Sequence, residues 1–98
     1  MQQNNIWKIQ VYPLSNFQEE FLALSDTSQK IIIQVLRDLI QMPDPEDHAT
    51  SIDCPSIQGF NHAVKYIMNN SPVLIVALDR IQLGHYVDNV ITLFSCSE

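Results

Sequence analysis

Apolar residues recur along this chain in two different rhythms. Over IWKIQVYP they alternate with polar ones, which predicts a strand across residues 6–12 that Pro13 ends. The spacing then lengthens. Phe17, Phe21, Leu22 and Leu24 form the apolar stripe of a short helix reaching about Leu24, and Ser15–Gln18 or Asn16–Glu19 supplies a capping box at its start. A second helix follows at once, with Asp26 as N-cap and Gln29 at the capping-box position. Ile32, Val35, Leu36, Leu39 and Ile40 make a wide apolar face with Leu36 near its middle, and Lys30, Gln34, Arg37, Asp38 and Gln41 line the opposite side. Met42-Pro43 stops this helix, because the residue before a proline is pushed out of the helical region.

Residues 43–60 are punctuated by prolines and a glycine and read as a long connector, with room for a short strand or turn around Ser56–Phe60. Strand-like runs at 63–68 and 73–81 flank the turn signal Asn69-Asn70-Ser71-Pro72. VLIVAL carries no polar residue, so it is expected as a central strand buried on both sides. LGHYVDN reads as the next loop and VITLFSCS as the last strand. The whole predicts one α/β (α+β) domain over residues 1–98, with order β-α-α-β-β-β and two N-terminal helices packed on a small antiparallel sheet.

Composition narrows what such a domain does. Ninety-eight residues, 46% of them apolar, suit a single globular core. No apolar run approaches the roughly 18 residues that span a bilayer. MQQNNIWK lacks the basic start and apolar stretch of a signal peptide, so the chain is expected in the cytoplasm and away from membranes. Cys54 and Cys96 do not make a disulfide framework and are expected as thiols. The net charge is −6, and from Asp44 onward only Lys65 and Arg80 are basic. A surface that follows a phosphate backbone needs several cations, which argues against direct binding of duplex DNA.

The segments KIQVYPLSNFQEEFLAL, SQKIIIQVLRDLIQMP and SIQGFNHAVKYIMNNSPVLIVALDRI, taken in order, resemble the RelE/ParE-type toxins of bacterial toxin–antitoxin pairs. The resemblance spans about 90 of the 98 residues and rests on pattern and order. It implies helices packed on an antiparallel sheet, and a protein partner, antitoxin-like, laid over helices and sheet by apolar contact; a homodimer is the other expected use of such surfaces. It also implies two functions. One is a small toxin-like interaction protein. The alternative is a ribosome-dependent mRNA endonuclease, in which cations hold the phosphate and an acid–base pair serves the 2′-hydroxyl and the leaving oxygen. RNA or the ribosome is a partner only under that alternative.

For the nuclease the candidate catalytic residues are Lys65, Arg80, His85 and Tyr86. A simple hairpin register setting Met68 opposite Val73 and Lys65 opposite Val76 would put Lys65 and Arg80 on one surface. The family's usual set of arginines and lysines is matched only in part, and VITLFSCSE holds no basic residue. His62 is a further titratable loop residue. Asp44, Glu46, Asp47 and His48 match neither a calcium loop nor a zinc motif, and no glycine-rich phosphate loop or nucleophile elbow is present, so no metal or cofactor is expected.

Overall fold

The computed structural model describes residues 7–48, 51–52, 63–68 and 71–98. Strand β1 (Lys8–Val11) leads into helices α1 (Phe17–Leu22) and α2 (Asp26–Leu39). A 3-10 turn (Pro45–His48) and the two-residue β2 (Ser51–Ile52) follow, then β3 (Ala63–Ile67), β4 (Val73–Leu83) and β5 (Tyr86–Ser97). The expected α+β class and element order are found, with β2 added inside the connector. The suggested strand at Ser56–Phe60, with Cys54 and His62, lies outside the described residues.

The sheet has five strands in the order β1-β5-β4-β3-β2. It is mixed, which corrects the expected antiparallel sheet: β1 runs parallel to β5, Lys8 opposite Val90 through Val11 opposite Leu93. The remaining pairs are antiparallel. The reason is connectivity: hairpins join β3 to β4 and β4 to β5, whereas β1 and β5 are distant in sequence and free to pair in either sense.

Both helices cover one face of the sheet. Between them and the sheet lies a core that includes Trp7, Phe17, Ile32, Leu39, Val64, Leu74, Val76 and Ile91. VLIVAL behaves as a central strand, with Leu74, Val76, Ala77 and Leu78 buried. Within α2 the buried line runs through Ser28, Ile32 and Leu39, while Leu36 is half-buried at its flank. The middle of the apolar face is therefore Ile32 rather than Leu36. On the opposite face Ala63, Ala77 and Thr92 are also buried, and Thr92 Oγ1 accepts from Gln10 Nε2 at 3.0 Å.

The helix starts differ from the expected capping boxes. Asn16 precedes α1 without a side-chain cap, and Ser15 Oγ takes the Phe17 amide at 3.4 Å. Ser25, not Asp26, caps α2 by accepting from the Ser28 amide at 3.2 Å. Gln29 instead reaches back, donating Nε2 to the carbonyls of Phe21 and Leu24 at 3.0 and 3.2 Å, which ties the first turn of α2 to the end of α1.

The turn between β4 and β5 is tighter than LGHYVDN suggested. Leu83 pairs with Tyr86, so Gly84-His85 is a two-residue hairpin loop, and Gly84 takes φ +62, a conformation that an L side chain resists. Asp88 and Asn89, read as loop punctuation, are strand residues opposite Ile81 and Arg80.

The end of β5 returns to the start of α2. The Glu98 carboxylate accepts from the hydroxyls of Ser25 at 2.7 Å and Ser28 at 2.6 Å, and these bonds hold its pKa below the ordinary value. A depressed carboxylate pKa stabilises the fold above its unfolded value, and that contribution is lost as pH falls through the folded value. Urea unfolding followed downward from neutral pH should therefore show a smaller loss of stability over that acidic window for Glu98→Gln than for the wild type. Equal losses in the two proteins would mean that the carboxylate's charge adds nothing there.

Candidate functional site

The β3–β4 hairpin decides where the candidate catalytic residues stand. Ile67 pairs with Val73 and Lys65 with Ile75, one position away from the expected register. The cause is Met68, which leaves the strand to join the turn: its carbonyl accepts from the Ser71 amide at 2.9 Å and its amide donates to the Pro72 carbonyl at 3.1 Å. A shift of one residue reverses the facing of one strand relative to the other. Val64 and Tyr66 therefore share the helix side with Leu74, Val76 and Leu78, while Lys65 turns to the opposite side with Ala63 and Ile75.

Arg80 continues the helix-side row of β4. Its guanidinium lies over the Trp7 ring at 4.7 Å, and Nη2 donates to the Pro43 carbonyl at 2.8 Å and to Asp44 Oδ1 at 3.4 Å. Lys65 and Arg80 thus lie on opposite faces, which corrects the expected shared cationic surface. They are also far apart along the sheet. Arg80 stands five residues beyond Ile75, roughly 16 Å at about 3.3 Å per residue. His85 is exposed at the hairpin tip. Tyr86 pairs with Leu83 beside that tip, and its side chain is outside the described set. From Ile75 to Gly84 is nine residues, roughly 30 Å. Of the four, only His85 and Tyr86 are neighbours.

Arg80 and Tyr66 share another job that the sequence did not suggest. Tyr66 is buried and donates its hydroxyl to the Pro45 carbonyl at 2.8 Å. Trp7 Nε1 donates to the Met42 carbonyl at 2.8 Å, and the Trp7 amide to that of Ile40 at 2.9 Å. These bonds lay residues 40–45 against the end of the core. No periodicity links Tyr66 to a carbonyl 21 residues earlier. Tyr66→Phe strands a buried acceptor and should lower stability by about 1–2 kcal/mol in urea unfolding. An unchanged midpoint would show that Pro45 finds another donor.

Cys96 is buried, with its thiol pushed up to about 11 by burial first and by the nearby Glu20 carboxylate second. Such a thiol stays protonated at neutral pH and is a poor nucleophile. Among the described residues no group of three or more His, Cys, Asp or Glu side chains is placed to hold a metal ion. Asp44, from the acidic connector, is engaged by Arg80.

What the described surface does offer is apolar and lies on the other flank. Leu14, in the turn after β1, is 84% exposed, and Leu22, on α1, is 74% exposed. Ile9 on β1 is 42% exposed. Single exposed leucines are ordinary, but these three side chains belong to successive segments of the chain, and the described surface carries recesses, one of them walled by Leu22. One, of about 290 Å³, is lined by Val11, Phe17, Gln18, Phe21 and Leu22. A second, of about 310 Å³, is lined by Val11, Tyr12, Pro13, Ser15, Asn16, Gln18 and Glu19. A third, of about 190 Å³, opens between α2 and β3 at Val35, Leu39, Met42, Tyr66 and Met68, with Asp38 and Ile67 also in its wall.

Leu22, expected in the apolar stripe of α1, is exposed instead, which corrects that expectation. The spacing held the signal, because Phe17, Phe21 and Leu24 follow i, i+4, i+7 along one helix face and Leu22 stands off it. Leu14 carried none, because a turn has no periodicity. Among the described residues no helix is long and apolar enough to cross a membrane. Compared with protein-family models, curated proteins and solved structures, the chain gives no significant match to any of them.

Proposed function

We propose that this chain is a small toxin-like interaction protein of a toxin–antitoxin type system, RelE/ParE-like in fold and cytoplasmic, which binds a partner protein through its helices and sheet. The carrying observation is the set of exposed apolar side chains Ile9, Leu14 and Leu22, the last of which walls a recess with Val11, Phe17 and Phe21. The order of two helices between a first strand and a terminal antiparallel meander is the further support. An apolar segment from a partner would gain about 25 cal/mol for each Å² of apolar surface covered there. A second copy of the chain is the other occupant that such a flank admits.

The endonuclease alternative loses support from geometry. A phosphoryl site needs its cation and its acid–base groups within a few ångströms of one phosphate. Lys65, Arg80 and the His85–Tyr86 tip are instead distributed over two faces and most of the length of β4. The test is sedimentation of the purified chain alone and with the product of the neighbouring reading frame. A stoichiometric complex is expected. A stable monomer that binds neither that product nor itself would contradict the proposal. Translation-coupled mRNA cleavage lost in a Lys65→Ala, Arg80→Ala double variant that still folds would favour the nuclease instead.

A further inference from the structure

We infer that the free edge of β1 is a strand-docking site, and that its occupant is an extended partner segment carrying an apolar side chain and, two residues away, a basic one. The inference rests on the partner-binding reading above and names the chemistry of that partner.

The edge comes first. β1 is the outermost strand among the described residues. Tyr12 donates its amide inward to the Leu93 carbonyl at 3.0 Å, so strand alternation turns Lys8 and Gln10 toward β5 and Ile9 and Val11 outward. The Trp7 amide, which also points outward, is already taken by Ile40. The open backbone groups of this edge are therefore those of Ile9 and Val11. An exposed edge of this kind is a template for another strand.

The side-chain recesses come second. The apolar recess at Phe17, Phe21 and Leu22 and the recess at Tyr12, Asn16 and Glu19 share Val11 and Gln18 as their common wall. Side chains two positions apart on an added strand lie on one face, roughly 6.6 Å apart, and are the nearest pair that one face of a strand can present to two recesses sharing a wall. Among the described residues Glu19 is the only charged one lining the pair. Lys8, the one cation on β1, is held by Asp88 at 2.9 Å on the opposite face of the sheet and does not oppose an incoming base. The chain's net charge of −6 favours a basic segment over a second copy bearing the same charge.

The probes are three capped ten-residue peptides alternating valine and threonine, each with a central leucine followed two residues later by lysine, glutamine or glutamate. Binding to the full chain is read from backbone amide shifts. The amides of Ile9 and Val11 should move, and the lysine peptide should bind about threefold more tightly than the glutamine one, as befits an exposed ion pair. Glu19→Gln should abolish that preference without unfolding the protein, since Glu19 is exposed. Shifts confined to the α2–β3 recess, binding indifferent to the charged position, or no binding would overturn the inference. So would a dimer of the chain whose Ile9 and Val11 amides are protected before any peptide is added. Any of these alongside an intact complex with the neighbouring gene product would sink the strand-docking site alone. Peptide binding without such a complex would sink the antitoxin-like partner alone.

Discussion

Replacing Trp7 with alanine is expected to lower the unfolding free energy by about 3–5 kcal/mol, the range for emptying a buried aromatic site. Trp7 is 2% exposed and combines three roles. Its ring fills the core beside the sheet, its indole N–H satisfies the Met42 carbonyl, and its face carries the Arg80 guanidinium. Alanine leaves a cavity, an unsatisfied acceptor and an arginine without its platform. Trp7→Phe would keep most of the volume and lose the indole bond, so its effect should be smaller. If Trp7→Ala and Trp7→Phe both changed stability by less than about 0.5 kcal/mol, the region where β1 meets residues 40–45 would be wrongly described.

The second large effect is at Ile32. It is fully buried on α2, in one core with Leu74, Val76 and Ile91. Ile32→Ala should cost about 2–5 kcal/mol, a sizeable share of the roughly 5–15 kcal/mol that holds a small domain together. Leu36→Ala should cost less, because Leu36 is only half-buried. Gln34→Ala, on the exposed face, should stay within about 0.5 kcal/mol. Urea unfolding of the three variants gives the order directly. A larger effect at Leu36 than at Ile32 would rotate the helix away from the face described.

Helices, their order and the buried centre of VLIVAL were legible because they depend on periodicity and on runs, which are local properties. Ile32, Val35, Leu36, Leu39 and Ile40 marked the right side of α2. Periodicity gives the side of a helix to within about one residue, which is why Leu36 read as central and Ile32 proved to be. Pairing was less legible. Asn69-Asn70-Ser71-Pro72 announced a turn, but Met68 joined it through two backbone bonds, and that single residue moved Lys65 to the face away from Arg80. The parallel partnership of β1 with β5 joins residues about 80 apart, and no local pattern encodes it. Lys65, Arg80, His85 and Tyr86 were chosen by residue type, and type alone does not say which face or which end of the sheet a side chain occupies.

The most direct test of the partner-binding reading is the affinity of the chain for the product of its neighbouring reading frame, measured by calorimetry for wild type and for Leu22→Asp. Leu22 is 74% exposed and lines the recess with Val11 and Phe21, so the substitution should leave the urea midpoint unchanged. Burying a charge where an apolar side chain was covered should weaken binding at least about tenfold, as loss of an interface anchor does. A complex whose affinity ignores Leu22→Asp, or the absence of any complex with the wild type, would contradict the account.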